Sequence, residues 1–290
     1  MRLIDGGLST ELERIGTQFH GELWTGHALL DNKASVQAAH RNFVDSGAEV
    51  ITSASYQLSR QGFQEIGLTP DEADRALQAS IEIARAAVAQ SACMVAASVG
   101  PYGAVLHDGS EYRGQYEVSQ AQLEDFHFER IEVLLASKPD LLAVETIPNV
   151  LETKALANVL KNVAIPFWFS FTASSESTMW SGENIQEAAG VIAGLENLVA
   201  AGVNCVNAKH VASLTKSIHS VTGAPAIAYP NGGGKWDSNS GTWSDKSDRS
   251  LAEWIPIWRD TPIEWVGGCC GVDSKEISQL NSALTGAIGH

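Results

Sequence analysis

Positive charge is scarce in this sequence: 19 Lys and Arg stand against 34 Asp and Glu, for a formal net charge of −15. Such a surface repels nucleic acid and anionic lipid, and no local basic patch reverses the sign. The partner expected from charge is small, and neutral or cationic. Long apolar runs are missing as well. The nearest approach, residues 81–100, is interrupted by Glu82, Arg85 and Gln90, whereas crossing a bilayer takes roughly 18 to 20 apolar residues. No membrane insertion is expected, and the first residues, Met-Arg-Leu-Ile-Asp-Gly-Gly, lack the apolar stretch of a signal peptide. Cysteine is rare too. Four in 290 residues do not make a disulfide scaffold, which points to a reducing, cytoplasmic setting. What is present, 44% hydrophobic and 18% charged residues, is ordinary for a globular chain with a large core.

The few cysteines are unevenly placed. Cys269 and Cys270 are adjacent, between Gly267-Gly268 and Gly271, and Cys205 lies in the apolar segment Gly202-Val203-Asn204-Cys205-Val206. Neighbouring side chains on a strand point to opposite faces, but flanking glycines free the backbone to turn and aim both sulfurs at one centre. Three thiolates suit a borderline-soft ion such as Zn²⁺, and three protein ligands with the fourth position open is the catalytic arrangement of that metal. The alternative is that these cysteines are small buried hydrophobes. Cys93 fits that description, and the other three fit it less well.

Short β-branched or apolar runs alternate with longer segments of three-to-four periodicity, the pattern of β-α units around a parallel sheet. Strands are expected at residues 3–5, 49–53, 94–99, 141–146, 167–171, 203–207, 226–229 and 264–268, and helices at 34–46, 70–89, 121–136, 151–160, 186–200, 211–220 and 273–284. Eight strands in this length predict an α/β fold, a single-domain (β/α)8 TIM barrel over residues 1–290, with a doubly wound open sheet as the alternative. On a barrel the active site sits at the C-terminal ends of the strands. Those ends are polar here: Asp5-Gly6-Gly7, Thr52-Ser53, Glu145-Thr146 and Tyr229-Pro230-Asn231 share a face with the three cysteines. A carboxylate closing an apolar run, as Glu145 does, is costly to bury without a partner. A structural salt bridge or a helix cap is the alternative for Asp5 and Glu145.

These segments, with Ser98-Val99-Gly100-Pro101-Tyr102-Gly103-Ala104 and Asp108-Gly109-Ser110-Glu111-Tyr112-Arg113-Gly114, resemble the zinc-dependent homocysteine S-methyltransferases over nearly the whole chain. The likeness is to the short branch that uses S-methylmethionine or S-adenosylmethionine. The resemblance implies a zinc ion held by Cys205, Cys269 and Cys270, with the homocysteine sulfur in the open position. It places Asp5 and Glu145 on the substrate's amino group, Gly6, Gly7 and Ser53 near its carboxylate, and Asn231 close to the metal when substrate is absent. S-Methylmethionine is expected ahead of S-adenosylmethionine as donor, and betaine hardly at all. Trp24 and Trp180 are candidates for the sulfonium face, with packing as the alternative. His40, His107 and His127 show no paired metal spacing and receive no chemistry.

The chain departs from the family pattern at Gly232-Gly233-Gly234, where relatives often read Ser-Gly-Glu, and at Gly271-Val272-Asp273-Ser274 after the cysteine pair. Met179-Trp180-Ser181-Gly182 likewise lacks a common aspartate. Residues 231–248 are expected to form a polar lid. Methylation of another thiol or a selenol, and a non-catalytic metal-binding scaffold, are the competing functions. The sequence does not fix the oligomeric state.

Overall fold

The computed structural model describes residues 1–17, 25–233, 235–237, 242–244 and 249–286. Ten strands are described: β1 (Arg2–Leu3), β2 (Val50–Thr52), β3 (Met94–Val99), β4 (Leu141–Ile147), β5 (Phe167–Phe171), β6 (Leu198–Asn204), β7 (Ala226–Tyr229), β8 (Lys235–Asp237), β9 (Thr242–Ser244) and β10 (Ile263–Val266). Eight of them form one parallel sheet in the order β1-β10-β7-β6-β5-β4-β3-β2. Its two ends meet. Ile4 bridges Val50 in parallel, Asp5 N–H donates to Val50 O at 3.1 Å, and Glu49 N–H donates to Leu3 O at 2.8 Å. That contact makes the sheet a (β/α)8 barrel and excludes the open sheet. None of the described helices is long and apolar enough to cross a membrane.

Local sequence explains the helices that wrap it. Helix Pro70–Val88 starts at a reciprocal cap between Thr69 and Glu72, with proline in the first turn, where its missing N–H costs nothing. Its Ala73, Leu77, Ile81, Ala84 and Val88 share one face and are buried. Helix Gln120–Ala136 begins in the same way, with Ser119 and Gln122. The barrel lumen is a packed core of its own: Ile4, Val50, Ala96, Leu141, Ala143, Trp168, Ala200, Ile227 and Tyr229. Alanines on β3, β4 and β6 make room for the fully buried Trp168 on β5. The inner stack is apolar at the bottom and turns polar toward the C-terminal strand ends.

One element differs from the sequence pattern in a way that matters for the site. The apolar periodicity of residues 186–200 reads as one helix, with a strand at 203–207. In the structure the helix is Ile185–Ile192 and β6 begins at Leu198. Gly194, at φ 81°, takes the chain out of the helix, and Ala200 to Val203 then pair with β5. Cys205 is therefore not inside a strand; it is the first residue beyond β6. Helices Leu8–Arg14, Thr25–Asp31 and Arg60–Glu65 are additions that the periodicity did not signal. Of the expected lid, β8 and β9 form a two-stranded antiparallel hairpin; residues 234, 238–241 and 245–248 lie outside the described residues.

Candidate active site

Three chain segments bring the cysteines together at the mouth of the barrel. Cys205 follows β6, and Cys269 and Cys270 follow β10. The loop after β7 stitches them: Cys205 N–H donates to Tyr229 O at 3.3 Å, Cys269 N–H to Pro230 O at 2.9 Å, and Gly232 N–H to Cys270 O at 2.9 Å. Cys205 adopts a left-handed backbone, φ 49°, a conformation that non-glycine residues hold only where the surroundings enforce it. A side chain at Gly232 would begin 2.6 Å from Gly271 O, so the two glycine-rich departures from the family pattern form a single close contact.

Cys270 Sγ lies 4.0 Å from each of the other two sulfurs, and all three fall within 4.8 Å of one another. Cys205 and Cys269 are joined as a disulfide, with their Cα atoms 5.6 Å apart. That bond departs from the expectation of free thiols. The cause is local, since the convergence that makes a metal site also brings two thiols within bonding reach. Sulfurs around a tetrahedral ion, each about 2.3 Å from it, stand roughly 3.8 Å apart. The spacings of Cys270 fit this, and reduction of the pair supplies the remaining thiolates, so the three sulfurs can hold a metal ion. Cys93 stands apart, half-buried before β3 at the other end of the barrel, where burial pushes its thiol up to about 12.

Two carboxylates occupy the same rim. Asp5 Oδ2 accepts from Thr52 N–H at 2.7 Å and Thr52 Oγ1 at 3.0 Å, while Glu145 accepts from Ser98 Oγ and, at 3.0 Å, from Tyr229 OH. Burial raises Asp5 to about 8, with the charge of Glu145 adding to it, and burial raises Glu145 to about 7. Among the described residues neither makes an ion pair with Lys, Arg or His, which removes the salt-bridge explanation. Two acids held near neutrality with no cation beside them suit a cationic ligand.

Asn204, fully buried at the end of β6, ties this rim together. Its Oδ1 accepts from Thr146 N–H at 2.7 Å and from Ser170 Oγ at 2.8 Å, and its Nδ2 donates to Thr146 Oγ1 at 2.6 Å. Thr146 is left-handed too, at φ 63°. The amide of Asn204 thus holds the unfavourable turn that follows Glu145, one residue before its own chain makes the same kind of turn at Cys205.

The remaining expected residues distribute as follows. Ser53 is buried, its Oγ 2.7 Å from Ser55 Oγ and accepting from Ser98 N–H at 3.1 Å. The Gly7 N–H donates to Val272 O at 2.9 Å, which ties the first loop to the chain following the cysteine pair. Gly6 lies against the same Val272 carbonyl. Asn231 has a buried Oδ1 with no hydrogen-bond partner. Trp180 is 42% exposed and donates its indole N–H to Thr172 Oγ1 at 3.3 Å; Trp24 lies outside the described residues. Buried Arg130 donates to Gly100 O at 3.0 Å, Ser55 O at 3.0 Å and Tyr56 O at 2.8 Å, clamping the loops that follow β2 and β3. His40 and His127 are buried within the helical layer, the latter on Glu152 at 2.8 Å. Thr52, Ser98, Asn204 and Tyr229 stand in the strand-end segments singled out from the sequence but received no role of their own, and Arg130 was not singled out at all. The first four sit at strand ends, where a polar residue breaking an apolar run was the available signal; Arg130 looks like any helix-surface arginine.

With this geometry in place, the chain belongs to the homocysteine S-methyltransferase family, whose sequence profile matches residues 2–284. It is 35% identical to homocysteine S-methyltransferase 2 of Arabidopsis thaliana over 97% of this chain and 92% of that protein. It is equally similar, at 35% over 97% of this chain and 88% of the relative, to a selenocysteine Se-methyltransferase of Brassica oleracea var. italica. Among solved structures it resembles the homocysteine methyltransferase MmuM of Escherichia coli in its metallated form, with a TM-score of 0.87, 33% identity, and coverage of 97% of this chain and 96% of that one.

Proposed function

We propose that the protein transfers a methyl group from a sulfonium donor to the sulfur of homocysteine, giving methionine, at a zinc ion held by Cys205, Cys269 and Cys270. The observation that carries this reading is the pairing, on one rim, of a three-sulfur cluster with two buried carboxylates that have no cation beside them among the described residues. A free thiol titrates near 8.5 and is mostly protonated at neutrality; the metal, when bound, supplies the deprotonation of the acceptor thiol. A reducing, cytoplasmic setting keeps the three cysteines available for it.

The chain's own residues do the rest. Asp5 and Glu145 hold the acceptor's ammonium group, Ser53 and the Gly6-Gly7 turn lie where its carboxylate would sit, and Asn231 faces the centre from the loop after β7. The acceptor sulfur uses its electron pair to form the new S–CH3 bond as the donor's S–CH3 bond breaks, and the donor leaves as a neutral thioether. No covalent enzyme intermediate is required. The protein contributes alignment, which is worth roughly 7 to 11 kcal/mol of barrier when two reactants are held in line. S-Methylmethionine is the donor proposed first, S-adenosylmethionine second. Betaine, with an amine leaving group, suits an unassisted displacement poorly.

A second acceptor class rests on one finding: relatives named for homocysteine and for selenocysteine match at the same identity. Selenocysteine and homocysteine both carry the ammonium and carboxylate that this rim would recognise. The deciding experiment is a methyl-transfer assay on zinc-loaded, reduced protein with both acceptors against a panel of sulfonium and ammonium donors. Turnover of homocysteine with S-methylmethionine is the expected result. Failure of every sulfonium with either acceptor would refute the proposal.

A further inference from the structure

The acceptor's ammonium group has its carboxylates, but a second positive charge must enter the same mouth. A sulfonium donor carries that charge on the atom bonded to the transferred methyl, so in line with the acceptor sulfur it stands close to the cysteines. We infer that Glu111, Tyr112 and Trp180 form the wall that recognises the donor's sulfonium charge, a conclusion that rests on the methyl-transfer reading above. The Tyr112 hydroxyl lies beside the Cys270 thiol. Its ring meets Trp180 edge-on, with ring centroids 6.4 Å apart. Trp180 in turn is anchored through Thr172, whose hydroxyl donates to Cys205 O at 3.3 Å. The two aromatic rings are thus hung from the cysteines on both sides, and aromatic faces attract cations.

Glu111 supplies the charge. Its Oε2 is buried and has no hydrogen-bond partner among the described residues. The nearby Arg113 attracts it only through space, because that guanidinium spends its hydrogen bonds on Asp108 at 2.8 Å and Ser110 at 3.1 Å. Nor is Glu111 free to swing away. A Cβ at Gly103 would lie 2.6 Å from the Glu111 amide nitrogen, so the turn Ser110–Tyr112 is pressed against the turn Tyr102–Val105, and Asn149 Nδ2 holds Gly114 O at 3.1 Å just beyond it. A half-buried carboxylate with one buried oxygen left open, on a braced turn beside two rings, is a preorganised site for a cation.

The test uses the zinc-loaded enzyme and the substitutions Glu111→Gln and Trp180→Leu. In Glu111→Gln, KM for S-methylmethionine should rise tenfold or more, with KM for homocysteine within twofold and zinc content unchanged. Trp180→Leu should raise the same donor constant by a smaller factor. Calorimetric binding of S-methylmethionine against uncharged methionine should lose its preference for the sulfonium in Glu111→Gln. An unchanged donor KM, equal rises for both substrates, or loss of zinc would overturn the assignment. Calorimetry also separates this inference from the reading it rests on. Absence of turnover in the unmutated enzyme would refute methyl transfer, whereas sulfonium binding that disappears with Glu111 would still support the wall.

Discussion

Asn204→Ala is the substitution that most directly tests how the rim is built. The side chain is fully buried and makes three hydrogen bonds, two with Thr146 and one with Ser170. Removing it strands the Thr146 N–H, whereas the Thr146 hydroxyl still has the Tyr56 hydroxyl beside it and Ser170 keeps the Tyr229 hydroxyl at 2.5 Å. A buried polar group left without a partner costs about 1–3 kcal/mol. Part of this is recovered if Thr146 leaves its left-handed conformation, which for a β-branched residue holds about 1–3 kcal/mol of strain. The net expectation is a loss of about 1–2 kcal/mol, a measurable share of the roughly 5–15 kcal/mol typical of a domain. Relaxation has a second consequence, since Thr146 is bonded to Glu145 and moves it. Urea unfolding of the zinc-loaded variant should show the stability loss, and homocysteine saturation should show a raised KM. Asn204→Asp keeps an acceptor for Thr146 N–H and Ser170 but buries a further carboxylate, so its stability loss should shrink as pH falls and that acid is protonated, whereas the loss in Asn204→Ala should not. An Asn204→Ala protein with unchanged midpoint and unchanged homocysteine KM would refute the reasoning.

Serine at Cys205, Cys269 or Cys270 should each remove most bound metal and activity, whereas Cys93→Ser, at the other end of the barrel, should leave both nearly intact; metal analysis of the four variants decides it. Glu145→Gln should weaken homocysteine binding by roughly 1.5 to 3 kcal/mol, the scale of a charge-assisted hydrogen bond, with zinc retained, as read by saturation kinetics. Homocysteine binding should also weaken as pH falls through about 8 and about 7, where Asp5 and Glu145 take up protons and lose their hold on an ammonium group. For the ligand-free protein the sign is opposite: both folded values lie above the ordinary carboxylate values of 3.8 and 4.5, so stability from these groups is complete below those values, falls as pH rises from them, and is gone once pH has passed about 7 and 8, which unfolding at pH 5 and pH 9 would reveal. Arg130→Met should loosen the loops after β2 and β3 and raise homocysteine KM more than it lowers zinc content, with Arg130→Lys failing to rescue because a single ammonium cannot span the three carbonyls.

The cysteines and the two acids were legible because each violates its surroundings: Cys269-Cys270 stands among glycines, and Glu145 ends the apolar run Leu141-Leu142-Ala143-Val144. The barrel followed from the count of such runs. What escaped was whatever depends on where a segment stops and which way a turn winds. Leu198 to Ala200 carries the apolar character of the helix before it, and only pairing with β5 makes it strand. Cys205 then falls just past the strand end and turns left-handed, as Thr146 does two strands away. Neither residue type favours that conformation, so propensity points against both turns. They exist because Asn204 can bond across to Thr146, a partnership over 58 positions that no local window contains. The same holds for the donor wall, where Glu111 and Tyr112 stand in a segment that carries the family resemblance but whose role shows only when Cys270 is brought beside it. The site is visible in the sequence where chemistry is concentrated in one residue, and hidden where it is made by the distance between two.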